Sequence, residues 1–231
     1  MSPCGPALLL VAHGTRDPAG AVVTEQVAEL VRRRLGVPVA ACYVDVRRPT
    51  PAEALAGLPG PAVAVPMFLA AGYHVRTDVP EQLAAHPLVR LAETFGPDPA
   101  LIGAAAERLT AAGARPGDAV VLAVAGSSDP HAQADGARAA RRLGRLLGRP
   151  VALATIATGG PRVADAVAAL RRDGAERIAV ASWLLAPGLF QRKLDGCGAD
   201  VVAAPLADHP AVPELVVQRY RAASAAARAS A

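Results

Sequence analysis

Two histidines stand where an apolar run of the first half of the chain gives way to a loop, and their placement frames the chemistry. His13 closes the run in residues 8–18, LLLVAHGTRDP. His74 lies in residues 69–76, LAAGYHVR, after a second apolar run. Neutral imidazole accepts a proton near pH 7, and it also donates a lone pair to divalent first-row metals. Asp45 ends a third apolar segment. Two imidazoles with this acid nearby form a set that can hold such a metal loosely. His86, His131 and His209 each adjoin a proline in a loop or helix-start position and read as surface residues.

What must position the pair is a set of parallel strands. The uninterrupted run 8–11 reads as a strand buried on both faces. Gly14 allows a sharp exit from it, and Asp17-Pro18 supplies an N-cap with proline at the first helical position. Apolar periodicity then predicts a helix over 21–35, ended by Gly36. A strand is expected over 38–44, and Thr50-Pro51-Ala52-Glu53 spells a capping box. Further strands are expected over 62–68 and 89–95, with Pro66 near the end of the former. Helices are expected to start at Asp78 and at Asp98-Pro99. His13 and His74 thus leave separate strands at one sheet edge, the carboxyl edge where open α/β sheets bind ligands.

The chain then repeats itself. Residues 120–130, VVLAVAGSSDP, match 8–18 with Gly126, Asp129 and Pro130 on Gly14, Asp17 and Pro18, but Ala125 stands where His13 does. Residues 179–192, AVASWLLAPGLFQR, match 63–76 without gaps, and Phe190 replaces His74. Both imidazoles are lost together while the turn residues persist, which sets them apart from packing or turn residues. Strands are expected over 119–124, 150–156, 177–182 and 201–204, with helices over 130–147, 162–172 and from about 213. The predicted fold class is α/β, with two tandem similar domains, each a mostly parallel sheet with helices on both faces. The expected domains are 1–113, carrying the histidines, and 114–231, lacking them, with GARPG at 113–117 as linker. The Ala/Ser-rich stretch 222–231 is expected to fray.

Composition narrows the partners. Of 231 residues 52% are hydrophobic and only 3% aromatic, which argues against a base-stacking platform, and the formal charge of +4 is spread over the chain. No nucleic-acid or membrane partner is expected. Cys4, Cys42 and Cys197 form neither a CxxC pair nor a disulfide framework, and no signal peptide is legible, so a reducing cytoplasm is expected.

The motifs VAHGTRDP, YVDVRRPTPAEAL (43–55) and VPMFLAAGYHVRTDVP (65–80) resemble the class II chelatases of the CbiX/SirB type in their long, duplicated form. That resemblance implies insertion of Co2+ or Fe2+ into a sirohydrochlorin-type tetrapyrrole, for cobalamin or sirohaem synthesis, with the metal as substrate and no tightly bound cofactor. It implies that His13 is proton acceptor and metal ligand, and that His74 is the second ligand. It puts Asp45 where short members carry a substrate-contacting Glu, and the loop Leu69, Ala70, Ala71, Gly72 and Tyr73 against the macrocycle. Arg16, Arg47, Arg48 and Arg76 lie in strand-end loops, where they can pair with carboxylates on the macrocycle rim. Ser127, Ser128 and Trp183 are further candidate contacts in the second half, Trp183 reading better as packing. The duplication favours a monomer. A non-catalytic tetrapyrrole or metal carrier is the alternative. A histidine phosphatase is disfavoured, because Ala12 stands where its phosphate-binding arginine would be.

Overall fold

A computed structural model describes residues 5–229, so Cys4 lies outside the described residues. Apolar runs become strands and capped amphipathic segments become helices in two compact units. The first unit comprises residues 1–96 and 208–231, and the second residues 97–207.

In the first unit β1 (Ala7–Ala12), β2 (Val39–Tyr43), β3 (Ala62–Pro66) and β4 (Val89–Leu91) form a parallel sheet in the order β2-β1-β3-β4. Every residue of β1 is buried, as its unbroken apolar run requires. Helix α1 (Pro18–Leu35) starts at Asp17, whose Oδ1 accepts from the Ala19 amide at 3.0 Å, and ends at Gly36 in the left-handed conformation. Helix α2 (Pro51–Ala56) opens with both hydrogen bonds of the Thr50/Glu53 capping box. With α3 (Val79–Leu83) it covers one face of the sheet, through Ala54, Val79 and Leu83 against Leu9, Val11 and Ala64.

The second unit repeats the plan. Its strands β5 (Ala119–Gly126), β6 (Val151–Thr158), β7 (Ile178–Trp183) and β8 (Val201–Val202) are parallel in the order β6-β5-β7-β8. Its helices are α4 (Pro99–Ala111), α5 (Pro130–Leu147), α6 (Val163–Arg172) and the short α7 (Leu189–Arg192). The predicted α/β class with two similar, mostly parallel domains is what is found.

The compact units and the sequence repeat divide the chain differently. Helix α4, encoded in the first half, packs on α5 and β7 of the second unit. Helix α8 (Ala211–Ala229), encoded at the end of the second half, packs on α1, β3 and β4 of the first. Each repeat therefore gives its last helix to the other unit, and a cut at 113/114 follows the repeat rather than the packing. Helix α8 buries Val212, Leu215, Val216, Val217 and Tyr220, and the Tyr220 hydroxyl donates to the Pro6 carbonyl at 2.6 Å. The expected fraying from 222 is not seen in the described residues, which stay helical to Ala229.

Two local expectations are corrected. The strand expected over 89–95 ends at Leu91, because β3 beside it ends at Pro66; Thr94 Oγ1 then donates to the Phe68 carbonyl at 2.8 Å in place of a ladder bond. The helix expected to start at Asp78 is already under way, since a π-helical turn spans His74–Asp78 and leads into α3. Trp183 belongs to β7 and is 4% exposed, the packing role its sequence context favours. Among the described residues no helix is long and apolar enough to cross a membrane.

Five buried side chains at roughly 1.5–3 kcal/mol each rival the whole stability of an ordinary domain. A fragment of residues 1–113, which lacks α8, is therefore expected to show no cooperative monomeric unfolding. A fusion of 5–96 to 208–229 through a flexible linker is expected to melt cooperatively. Circular dichroism melts with size-exclusion chromatography check both; a well-folded monomeric 1–113 fragment would contradict the assignment of α8.

Candidate metal and tetrapyrrole site

The site is built at the carboxyl edge of the first sheet. The β1–β2 ladder runs past the strand ends, with Val44 N donating to Ala12 O and Asp45 N to His13 O, both at 3.0 Å. On the other side Met67 N donates to Val11 O at 2.8 Å. His13 thus leaves a backbone held from both flanks. Gly14 makes the exit turn at φ +98°, and a Cβ there would lie 2.1 Å from the Asp45 carbonyl oxygen, so only glycine fits.

His74 arrives from β3 through the loop 67–73. The π-turn presents its ring to that of His13, with centroids 4.4 Å apart at 75° and the two Nε2 atoms 3.1 Å apart. Both Nδ1 atoms face acceptors: His13 Nδ1 lies 3.2 Å from Gly14 O, and His74 Nδ1 lies 2.5 Å from Asp78 Oδ2. Placing the N–H on each Nδ1, as those partners require, turns two Nε2 lone pairs toward each other. Two acceptors at that separation repel unless a cation lies against both. With metal–nitrogen bonds of about 2.1 Å, a 3.1 Å separation subtends about 95° at the metal, the bite of two adjacent ligands.

The electrostatics favour a neutral His13. His13 is exposed at its rim, yet its protonation is pushed below the usual histidine value, chiefly by desolvation and next by His74. The Gly14 carbonyl and the Asp45 carboxylate oppose this shift. The Phe68 ring lies 6.3 Å from His13, and Tyr73, 58% exposed, lies 6.1 Å from His74.

The other predicted residues divide. Asp45 is exposed and close enough for its charge to act on His13, but its Oδ1 accepts from Val46 N at 2.7 Å. Among the described residues no group of three His, Cys, Asp or Glu can hold a metal, which corrects the expectation that Asp45 joins the two imidazoles. Leu69, Ala70, Ala71 and Gly72 are half-buried along the approach to His74. Arg16 and Arg76 are exposed, and neither guanidinium makes a hydrogen bond or ion pair among the described residues. Arg47 is occupied by the Thr15 carbonyl at 3.1 Å, and Arg48 by Glu53. His131 is exposed, and His86 and His209 are half-buried.

Sequence reasoning missed Asp78. Its four-residue spacing from His74 was the available signal, masked because Asp78-Val79-Pro80-Glu81 imitates a helix start. Val46 was also missed: it sits beside Gly14 at φ +56°, costly for a β-branched residue, and is 47% exposed. In the second unit the same edge is closed off. Ala125 and Phe190 take the histidine positions, Ser182 Oγ donates to Gln191 Oε1 at 2.6 Å, and Ser127 Oγ accepts from the Asp129 amide at 3.0 Å.

The profile of the CbiX family matches residues 7–112 and again residues 119–223. The chain belongs to the CbiX family. Sirohydrochlorin cobaltochelatase of Methanosarcina barkeri is 35% identical over 82 residues, 33% of this chain and 63% of that protein. The enzyme of the same name from Methanosarcina acetivorans is 36% identical over 78 residues, 32% of this chain and 60% of the relative. The matches thus span about three-fifths of these CbiX-family relatives. SirB from Bacillus subtilis with Fe3+ shares the fold at a TM-score of 0.82 and 21% identity, over 97% of this chain and 98% of its own. A second similar solved structure is CbiX, described as the terminal enzyme for biosynthesis of siroheme in denitrifying bacteria. It matches at a TM-score of 0.63 and 25% identity, over 94% of this chain and 99% of its own.

The lowered His13 value means that this imidazole stays neutral as pH falls past about 6.5 and gains its proton only below that. Its ring C–H shifts, followed by NMR in the metal-free protein, are expected to titrate with a midpoint below 6.5. Removing the neighbouring ring by His74→Ala is expected to move that midpoint upward. A midpoint at or above 6.5 in the unaltered protein would contradict the described packing.

Proposed function

We propose that this CbiX-family protein is a sirohydrochlorin chelatase, an enzyme that inserts a divalent metal, Co2+ or Fe2+, into a sirohydrochlorin-type tetrapyrrole. The observation that carries the reading is the convergence of the His13 and His74 Nε2 atoms at 3.1 Å on an exposed sheet edge. The metal enters as substrate, with the two Nε2 atoms as its protein ligands, and leaves within the product.

The chemistry needs two events that this pair couples. The free-base macrocycle gives up two N–H protons as the ion enters. Each imidazole nitrogen that releases the metal regains its lone pair at that moment and becomes a base beside the pyrrole N–H groups. His13, already disposed to be neutral, takes the first proton, and His74 can take the second. Both protons then pass to solvent at the open edge. Phe68, Tyr73 and the half-buried 69–72 loop offer apolar surface to a flat ring. Arg16 and Arg76 offer guanidinium groups to its carboxylates, and Asp45 borders the same opening. The second unit, without the imidazoles, serves as a supporting or binding unit. The reading includes a monomer in a reducing cytoplasm. The internal duplication supports the former; Cys42 and Cys197, buried and unpaired, support the latter.

Catalytic amounts of protein, given sirohydrochlorin with Co2+ or Fe2+, are expected to shift the tetrapyrrole absorbance for many equivalents. A shift that stops at one equivalent per chain would instead mean a carrier. His13→Ala is expected to slow insertion by about 10²–10⁴-fold, the usual loss for a general base. Charge reversal at Arg16 and Arg76 is expected to raise the tetrapyrrole KM with a smaller change in kcat. Normal turnover in the His13 variant, or an unchanged KM in the arginine variant, would overturn those assignments.

A further inference from the structure

The Asp78 carboxylate has no role in the metal-insertion scheme, although it makes the shortest contact to either imidazole. It sits at the end of the π-turn with its side chain 23% exposed, and its Oδ2 is 2.5 Å from His74 Nδ1. A carboxylate in that position, one residue before α3, would ordinarily cap the helix. Here it makes no capping hydrogen bond, because the chain enters α3 already helical. The π-turn puts residues 74 and 78 one above the other on the same side of the coil. The carboxylate is therefore turned to the ring and not to the backbone.

The repeat supplies an internal comparison. Continued two residues beyond its matched span, the ungapped correspondence that sets His74 on Phe190 sets Asp78 on Leu194. Leu194 is 1% exposed and belongs to the apolar core of the second unit. Where the imidazole is gone, the acid is gone too, and the position reverts to packing.

We propose that Asp78 is a positioning residue: it holds His74 in the Nδ1–H tautomer with its Nε2 lone pair aimed at the lone pair of His13. Without it, His74 is free to carry its proton on Nε2 and donate to His13, which neutralises the pair as a receptor for a cation. The ring also loses the anchor that fixes its tilt. Outer partners of this type change metal affinity by about 10–100-fold when removed. The effect on metal rests on the chelatase reading of the two histidines; the effect on the tautomer does not.

The test compares the full-length protein with Asp78→Ala, Asp78→Leu and Asp78→Asn, the last isosteric and able to accept a hydrogen bond without the charge. Nitrogen–proton correlation NMR of the metal-free proteins is expected to show His74 as the Nδ1–H tautomer in the unaltered chain. The Ala and Leu variants are expected to show a mixture with Nε2–H, and the Asn variant to remain closer to the parent. Titration with Co2+, followed by its visible absorption, is expected to give a 10–100-fold weaker Kd in Ala and Leu, partly restored in Asn. An unchanged tautomer and an unchanged Co2+ affinity in well-folded Ala or Leu variants would overturn the proposal. If the unaltered chain binds no Co2+, the chelatase reading fails and the tautomer measurement alone decides the role of Asp78.

Discussion

Two lone pairs held 3.1 Å apart repel unless positive charge lies against both, so this site depends on a backbone stiff enough to keep them there. That stiffness comes from β1, buried on both faces and hydrogen-bonded on both flanks up to His13. A loop-borne histidine would rotate away from such a contact. Here the ladder to Val44 and Asp45, the glycine turn and the π-turn leave each ring little freedom. On the proposed reading of the two histidines, the result is a receptor shaped before its cation arrives, which avoids the ordering cost of assembling ligands at the moment of binding.

The second unit shows what the same backbone does without that demand. Its sheet has the same order, its exit turn the same glycine, and its β5 and β7 leave at the same edge. Phe190 and Leu194 extend the core where the first unit carries an imidazole and a carboxylate, and Gln191 is tied down by Ser182 and the Ala203 carbonyl. The left-handed position that holds Val46 in the first unit is Gly159 in the second, where a Cβ would meet the Ser127 carbonyl at 2.0 Å. One scaffold thus reads as an open polar rim in one copy and as closed packing in the other.

Much of this was legible before any coordinates, because its causes are local. Unbroken apolar runs gave the buried strands, Asp17, Thr50 and Asp98 marked helix starts that their side chains do cap, and Gly36 marked a stop. Parallel strands end at one edge, so the meeting of His13 and His74 followed from their being strand-end residues. What escaped was set by competition at a distance. Asp78 has the local form of a cap, and the His74 ring outbids the backbone for its carboxylate. Asp45 looked available to a metal, but the amide of Val46 takes one of its oxygens. The exchange of α4 and α8 escaped for a different reason. Both are amphipathic segments at equivalent points of the repeat, and nothing in either pattern says which sheet it will cover.

That exchange has a bearing on how the protein is made. The unit with the two imidazoles joins strands encoded before residue 97 to a helix encoded after residue 207, so its sheet stays without that cover until α8 has been made. The second unit, whose first helix precedes its first strand, has all its parts in hand before α8 is synthesised. A nascent chain that stalls or is clipped shortly before residue 211 would carry a complete second unit beside a first unit that still lacks α8.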